Sequence, residues 1–439
     1  MEKYYHSVTL DKEKCRGCTN CIKRCPTEAI RVRDGKARII GERCIDCGEC
    51  IRVCPYHAKV ALTDPLDSIY EFPYRIALPA PTLYGQFKNT DITAILIGLK
   101  ELGFDDVFEV ARGADYVSAF VKEAMKDKER KKPAISSACP AIVRLIQVRF
   151  PELIDNIINI ESPMEIAARL AKKEFSRKKG VKEEDIGAFF ITPCAAKMTS
   201  IRNPIGIERS WVDGAISILE IYGPLYNKIA NLKNDEDLLQ TASPYGILWA
   251  NSGGESSSLG VDNYLAVDGI QNVIRVLEEI EDDKLTDLEF FEGLACSGGC
   301  VGGPLVFENG FVAKNRIRKL AEKAKGEDLS TEEVMYTKEK IQWYFEKEIL
   351  PKPVMKLDDD ITLAMKKMEA IERIYEGLPG LDCGSCGSPS CRTHAEDIVR
   401  GYASEMDCVF KLREKVKELA QQMIEISEKI PGGKTNNNE

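Results

Sequence analysis

The sixteen cysteines are the residues of this chain best suited to chemistry, and their spacing sorts them into ligand sets. Eight form two runs of the form C-x2-C-x2-C-x3-C-P. The first is Cys15, Cys18, Cys21 and Cys25 before Pro26; the second is Cys44, Cys47, Cys50 and Cys54 before Pro55. In such a run three cysteines hold one iron–sulfur cubane and the fourth crosses to the other. Cys15, Cys18, Cys21 and Cys54 are therefore assigned to one 4Fe-4S cluster, and Cys44, Cys47, Cys50 and Cys25 to a second. Paired zinc knuckles are the competing reading, but zinc sites rarely repeat this spacing with a proline after each fourth cysteine. A third set is Cys383, Cys386, Cys391 and Cys408, with Gly384, Gly387 and Pro389 in its loop. A four-cysteine zinc site competes there too. The fourth ligand is expected to return after a helix from Thr393 to Glu405. His394 is read as a surface or helix N-terminal residue rather than a ligand.

The last four cysteines are scattered. Cys139 sits in Ser-Ser-Ala-Cys-Pro and Cys194 in Thr-Pro-Cys-Ala-Ala-Lys, while Cys296 and Cys300 share Cys-Ser-Gly-Gly-Cys-Val-Gly-Gly. Alone, each could be an ordinary buried cysteine. Together, in a chain that already conducts electrons, they are a candidate cage for one cluster. The glycines let backbone approach a bulky group.

Elements must position these sets. Residues 1–68 are expected to form a two-cluster unit, with a strand-like stretch Ala37–Ile40 between the runs. A Pro- and Tyr-rich linker follows (Pro65, Pro73, Pro79, Pro81). Residues 75–350 alternate apolar strands with helices, which reads as α/β with buried parallel strands. Asp106–Val110 and Ile186–Ile191 are read as strands and Val273–Glu281 as an amphipathic helix. Residues 355–408 carry the third cysteine set, 409–430 one helix, and 431–439 a disordered tail. On that helix Val409, Leu412, Val416, Leu419, Met423, Ile426 and Ile430 form a heptad seam. It fits either docking on its own domain or a coiled-coil homodimer.

Composition narrows the function. Thiolate ligands need a reducing compartment, and Met1–His6 shows no signal-peptide pattern, so a cytoplasmic location is expected. No apolar run approaches the ~20 residues of a bilayer span. A net charge of −9 argues against nucleic acid as a partner. With only His6, His57 and His394 present, a His-rich zinc site or a Ser-His-Asp triad is disfavoured.

The scattered motifs resemble those of the iron-only (FeFe) hydrogenases, roughly T-S-C-C-P, M-P-C-x-x-K and M-A-C-x-G-G-C, and the resemblance covers about residues 1–320. It implies an α/β hydrogenase domain of two lobes around an H-cluster, an N-terminal α+β ferredoxin domain, and a small C-terminal Fe–S domain. That last unit resembles the 4Fe-4S domain of corrinoid iron–sulfur proteins. By position, Cys139, Cys194, Cys296 and Cys300 would hold the 4Fe-4S part of the H-cluster. Cys300 would also bridge to a di-iron subsite bearing CO, CN and a dithiolate. Lys197 would donate to a cyanide. Ala80, Pro81 and Thr82, and Ser252, Gly253 and Gly254, resemble loops lining the di-iron pocket. Three further 4Fe-4S clusters complete the cofactors.

Departures from the family pattern point to a specialised branch. Ala138 stands where a proton-relaying cysteine precedes the first ligand. Tyr116–Val121 and Ser200 replace places where the family has glutamates, and Thr192 and Leu294 replace methionines. The resemblance is therefore to the sensory branch: dihydrogen binding, or slow reversible oxidation, at an H-cluster. Protons, dihydrogen, maturation proteins and a ferredoxin or signalling protein are the implied partners. A fully catalytic ferredoxin-linked hydrogenase and a non-catalytic Fe–S scaffold are the alternatives.

Overall fold

The computed structural model describes residues 5–232 and 240–429. Ile430 of the seam and the tail 431–439 lie outside the described residues.

Four short strands organise the N-terminal unit: Val8–Leu10 (β1), Ile30–Arg33 (β2), Lys36–Ile39 (β3) and Lys59–Ala61 (β4). β1 pairs with β4, and β2 with β3, both antiparallel. Asp34-Gly35 joins β2 to β3, with φ of +52° and +69°, the left-handed pair a tight hairpin turn requires. The helices Asn20–Arg24 and Glu49–Arg52 carry Cys21 and Cys50.

The central region holds the strands Tyr74–Pro79 (β5), Asp106–Val107 (β6), Ala134–Ile135 (β7), Ile186–Thr192 (β8), Gly214–Ser217 (β9), Tyr264–Asp268 (β10) and Phe290–Leu294 (β11). They form two parallel sheets, in the orders β6-β5-β8-β9 and β10-β11-β7. Helices cover the first sheet on both faces. Leu99, Ile221 and Leu225 pack on one side, and Met164, Ala168 and Phe175 on the other. A strand buried on both faces reads as a continuous apolar run, which is why β8 is buried at every residue. The second lobe packs Ile142, Ile146, Val273 and Leu277 around Phe291 of β11. The architecture is α/β in two lobes with a smaller Fe–S-type unit at each end.

Four expectations need correction. The Pro-rich stretch is no free linker, because Tyr74–Pro79 is β5, a central strand. The strand expected over Asp106–Val110 stops at Val107, and Val110 opens the helix Val110–Ala124. The helix expected over Thr393–Glu405 is Cys391–Val399. Gly401, with φ +77°, ends it in the left-handed turn that glycine takes most readily. Finally, the terminal helix Val409–Lys429 does not dock on its own domain. Its seam residues Val416, Met423 and Ile426 are 58%, 71% and 60% exposed.

The C-terminal unit lies against the N-terminal one. Val32 N–H donates to the Gly387 carbonyl at 2.8 Å. A Cβ on Gly387 would stand 1.9 Å from Val32 O, so only glycine permits this approach. Among the described residues, no helix is long and apolar enough to cross a membrane.

Candidate functional site

Parallel sheets gather functional groups at the carboxyl ends of their strands. Cys139 caps the helix Pro140–Arg149 just beyond β7, and Cys194 caps Ala195–Arg202 just beyond β8. Cys296 follows β11, and Cys300 opens a short turn. All four face one mainly apolar cavity, together with Lys197. Ala80, Pro81, Thr82 and Ala138 line it as well. Ser252, Gly253 and Gly254 do not. They line an adjoining groove and act through backbone: Ser252 N–H donates to Gly298 O at 3.1 Å, buttressing the Cys296–Cys300 loop.

The cavity favours a metal group. Burial, then the neighbouring thiols Cys296 and Cys139, pushes the Cys194 thiol up to about 12. Burial likewise raises Cys296 and Cys300. Such thiols ionise when a metal supplies the opposing charge. Burial lowers the Lys197 ammonium, opposed by Cys194, Cys300 and Glu165. The Thr82 hydroxyl is fully buried on the cavity wall without a partner among the described residues. An orphaned polar atom in a cysteine-lined cavity fits a cofactor with acceptor atoms.

Two acids that the sequence reading passed over also line the cavity: Glu255 and Glu292. Ser136 Oγ donates to Glu255 Oε2 at 2.5 Å and accepts from Ala138 N–H at 3.2 Å. Glu292 accepts from Gly253 N–H at 2.9 Å, Ser256 N–H at 2.8 Å and Ser256 Oγ at 2.7 Å. Burial raises both carboxyl pKa values, and for Glu255 the adjacent Glu292 raises it further. A readable signal existed: Glu292 interrupts the apolar strand Phe-Phe-Glu-Gly-Leu.

Eight of the remaining cysteines gather in two places. Cys15, Cys18, Cys21 and Cys54 line one small cavity, and Cys25, Cys44, Cys47 and Cys50 another. Cys47 also lines the main cavity, so the second small cavity abuts it. Arg52 Nη1 bridges the two units by donating to Gly302 O at 2.9 Å. In the C-terminal unit Cys391 and Cys408 are buried, Cys386 is half-buried and Cys383 is exposed. His394 is not at the surface: it is 1% exposed, and neither ring nitrogen has a partner among the described residues. It lies one helical turn after Cys391, on the same face.

Comparison with known proteins gives the family. The family described as iron only hydrogenase large subunit, C-terminal domain, matches residues 74–262 and 256–304. A 4Fe-4S dicluster domain matches 7–55, and an Fe-S cluster family matches 378–410. Iron hydrogenase 1 of Clostridium pasteurianum is 25% identical over 68% of this chain, and the match spans 64% of that protein's length. The periplasmic [Fe] hydrogenase large subunit of Nitratidesulfovibrio vulgaris is 25% identical over 68% of this chain and 86% of its own. A solved FeFe hydrogenase of Chlamydomonas reinhardtii is 15% identical, with a TM-score of 0.48, covering 66% of this chain and 98% of that one. The matched span from 74 to 304 is more than half of the 439 residues, and this chain belongs to the iron-only hydrogenase large-subunit family.

Proposed function

We propose that this protein binds an H-cluster and splits dihydrogen slowly and reversibly, as a hydrogen or redox sensor. The carrying observation is a cysteine cage that keeps Lys197 but has Ala138 beside its first ligand. When bound, the di-iron group would supply the Lewis acid and the base for heterolytic cleavage of dihydrogen.

The chain's own residues do the rest. Cys139, Cys194, Cys296 and Cys300 would hold the cubane half, with Cys300 shared with the di-iron half. Lys197 offers a charge-assisted donor to an anionic cyanide, and the Thr82 hydroxyl offers a neutral one. Ala80 and Pro81 keep the wall apolar and exclude water. Ala138 has no exchangeable proton, so direct hand-off at that position is lost. Protons instead have Ser136 and Glu255, joined at 2.5 Å. The raised pKa of Glu255 keeps its proton in place at neutral pH. Hand-off through a serine three residues before the first ligand supports slow turnover.

Electrons would leave through the Cys25-Cys44-Cys47-Cys50 cluster, whose cavity adjoins the cage, and then through the Cys15-Cys18-Cys21-Cys54 cluster. A ferredoxin or signalling protein would take them up, and maturation proteins would deliver the di-iron half. The open seam of Val409–Lys429 supports a homodimer. Most helical stability in proteins comes from packing an apolar face, and valine at two a positions with leucine at the following d positions favours a parallel pair. Thiolate chemistry supports a cytoplasmic setting.

Infrared spectra of the anaerobically matured protein test the reading. CO and CN bands that shift under dihydrogen, with low turnover, are expected. Fast turnover would instead mark an ordinary hydrogenase. Absent bands with intact cubanes would leave an Fe–S scaffold.

A further inference from the structure

The two N-terminal cysteine runs are an internal repeat, and the repeat breaks at one side chain. Cys25-Pro-Thr-Glu-Ala29-Ile30 corresponds residue by residue to Cys54-Pro-Tyr-His-Ala58-Lys59. The backbone keeps the correspondence closely. Glu28 and His57 both have φ +49°. Ala29 N–H donates to Cys25 Sγ at 3.2 Å, and Ala58 N–H to Cys54 Sγ at 3.3 Å. Ile30 opens β2, and Lys59 opens β4.

Each of these two residues lines one small cavity. Ile30 faces the cavity of Cys25, Cys44, Cys47 and Cys50; Lys59 faces that of Cys15, Cys18, Cys21 and Cys54. Ile30 is an ordinary apolar wall, 3% exposed. Lys59 is 2% exposed, yet its ammonium has no hydrogen-bond partner among the described residues. A buried cation without a partner is among the costliest arrangements in a protein, so one is retained where something anionic faces it. The Lys59 charge acts on Cys21, Cys50 and Cys54, in each case favouring the thiolate.

We propose that Lys59 donates a charge-assisted hydrogen bond to the cluster held by Cys15, Cys18, Cys21 and Cys54 and sets its reduction potential above that of the second cluster. The inference rests on both runs holding 4Fe-4S clusters. One-electron reduction adds a negative charge to a cluster, and a buried ammonium beside it stabilises that charge. Hydrogen bonds and local charge are the established levers on such potentials. The second cluster lies next to the main cavity and has only Ile30 at the matching place. An electron leaving the main cavity therefore crosses the second cluster and settles on the first. The repeat thus acts as a downhill step that favours the electron on the first cluster, farther from the main cavity.

The test is an EPR-monitored redox titration of the full-length protein, with iron and acid-labile sulfide counted in every sample. In Lys59→Met the potential of the Cys15-Cys18-Cys21-Cys54 cluster falls furthest, the second cluster falls less through Cys50, and the clusters outside the N-terminal unit hold; Lys59→Arg, which keeps the charge, restores both. Unchanged potentials in Lys59→Met at full cubane content overturn the inference. Should Lys59→Met fail to assemble, Ile30→Lys carries the test: the second cluster's potential rises, and no rise overturns the inference. Wild-type protein lacking N-terminal cubanes by iron and sulfide count overturns the underlying reading instead.

Discussion

The central and the C-terminal cysteine cages solve the same positioning problem in opposite ways. The central cage draws Cys139, Cys194, Cys296 and Cys300 from segments that follow strands of two parallel sheets, so the hydrophobic core holds its geometry. The C-terminal cage is a small unit held against the N-terminal module by polar contacts. Arg31 Nε and Nη2 donate to Asp397 at 2.6 and 2.9 Å, Ser388 Oγ at 2.7 Å and Arg33 Nη2 at 3.2 Å. Arg43 Nη2 reaches Glu396 at 2.6 Å. Core-held geometry resists change, whereas a charged interface can be altered by one substitution.

The largest effect should come from the core-held side. Cys300→Ser is expected to abolish CO and CN bands and all dihydrogen turnover, with the three other clusters retained by iron count. Retained bands would show that Cys300 does not bridge. Glu255→Gln should come next, lowering turnover by about 10²–10⁴-fold, the range of a positioned proton-transfer group. Because burial raises the Glu255 pKa, the wild-type carboxyl is protonated at neutral pH, and turnover should fall as pH rises through that raised value. The glutamine variant should lose this alkaline limb; a pH–rate profile like that of the wild type would route protons elsewhere.

What the sequence disclosed follows the same division. Cysteine spacing is local in the two N-terminal runs and the C-terminal group, so those three sets were legible, as were β8 and the terminal heptad; Cys139, Cys194, Cys296 and Cys300 are scattered and were assigned as one ligand set only through the family resemblance. The polar groups buried in the cavity wall were not. Ser136, Glu255 and Glu292 lie on three separate segments and meet only because β11 is the middle strand of its sheet. Tyr116–Val121 and Ser200, the places the family pattern points to, carry no acid. The Pro-rich stretch 65–81 was mistaken for a linker because a buried parallel strand can carry proline at its end, as β5 does at Pro79. His394 lies near the start of its helix, one of the two places expected, but its burial was not legible because a single histidine beside Thr393 gives no periodicity.

The C-terminal side should break more gently. Asp397 and Arg31 have side chains 3% and 7% exposed. Removing one partner of such a buried pair typically costs about 3–5 kcal/mol. Asp397→Asn is therefore expected to loosen residues 378–408 from β2, seen as faster amide exchange at Val32 and across Cys391–Val399, while the CO and CN bands persist. Arg38→Ala, which removes an exposed pair with Asp34, is the control and should change neither. Truncation before Val409 should convert dimer to monomer by light scattering without altering turnover. A truncated chain of unchanged mass would refute the coiled coil.

The smallest expected effect is the most diagnostic of the central cage. Ala138→Cys places a thiol beside Cys139 in the lining of the main cavity. If Ser136 and Glu255 already carry protons, the new thiol adds a second donor to an occupied route. The gain in turnover should then fall well below the ~10²-fold floor of an essential proton-transfer group, and Glu255→Gln should abolish it. A large gain that survives in the double variant would mean the thiol reaches solvent by a path independent of Glu255. Measuring both variants singly and together separates these outcomes, because residues on one proton route give non-additive effects.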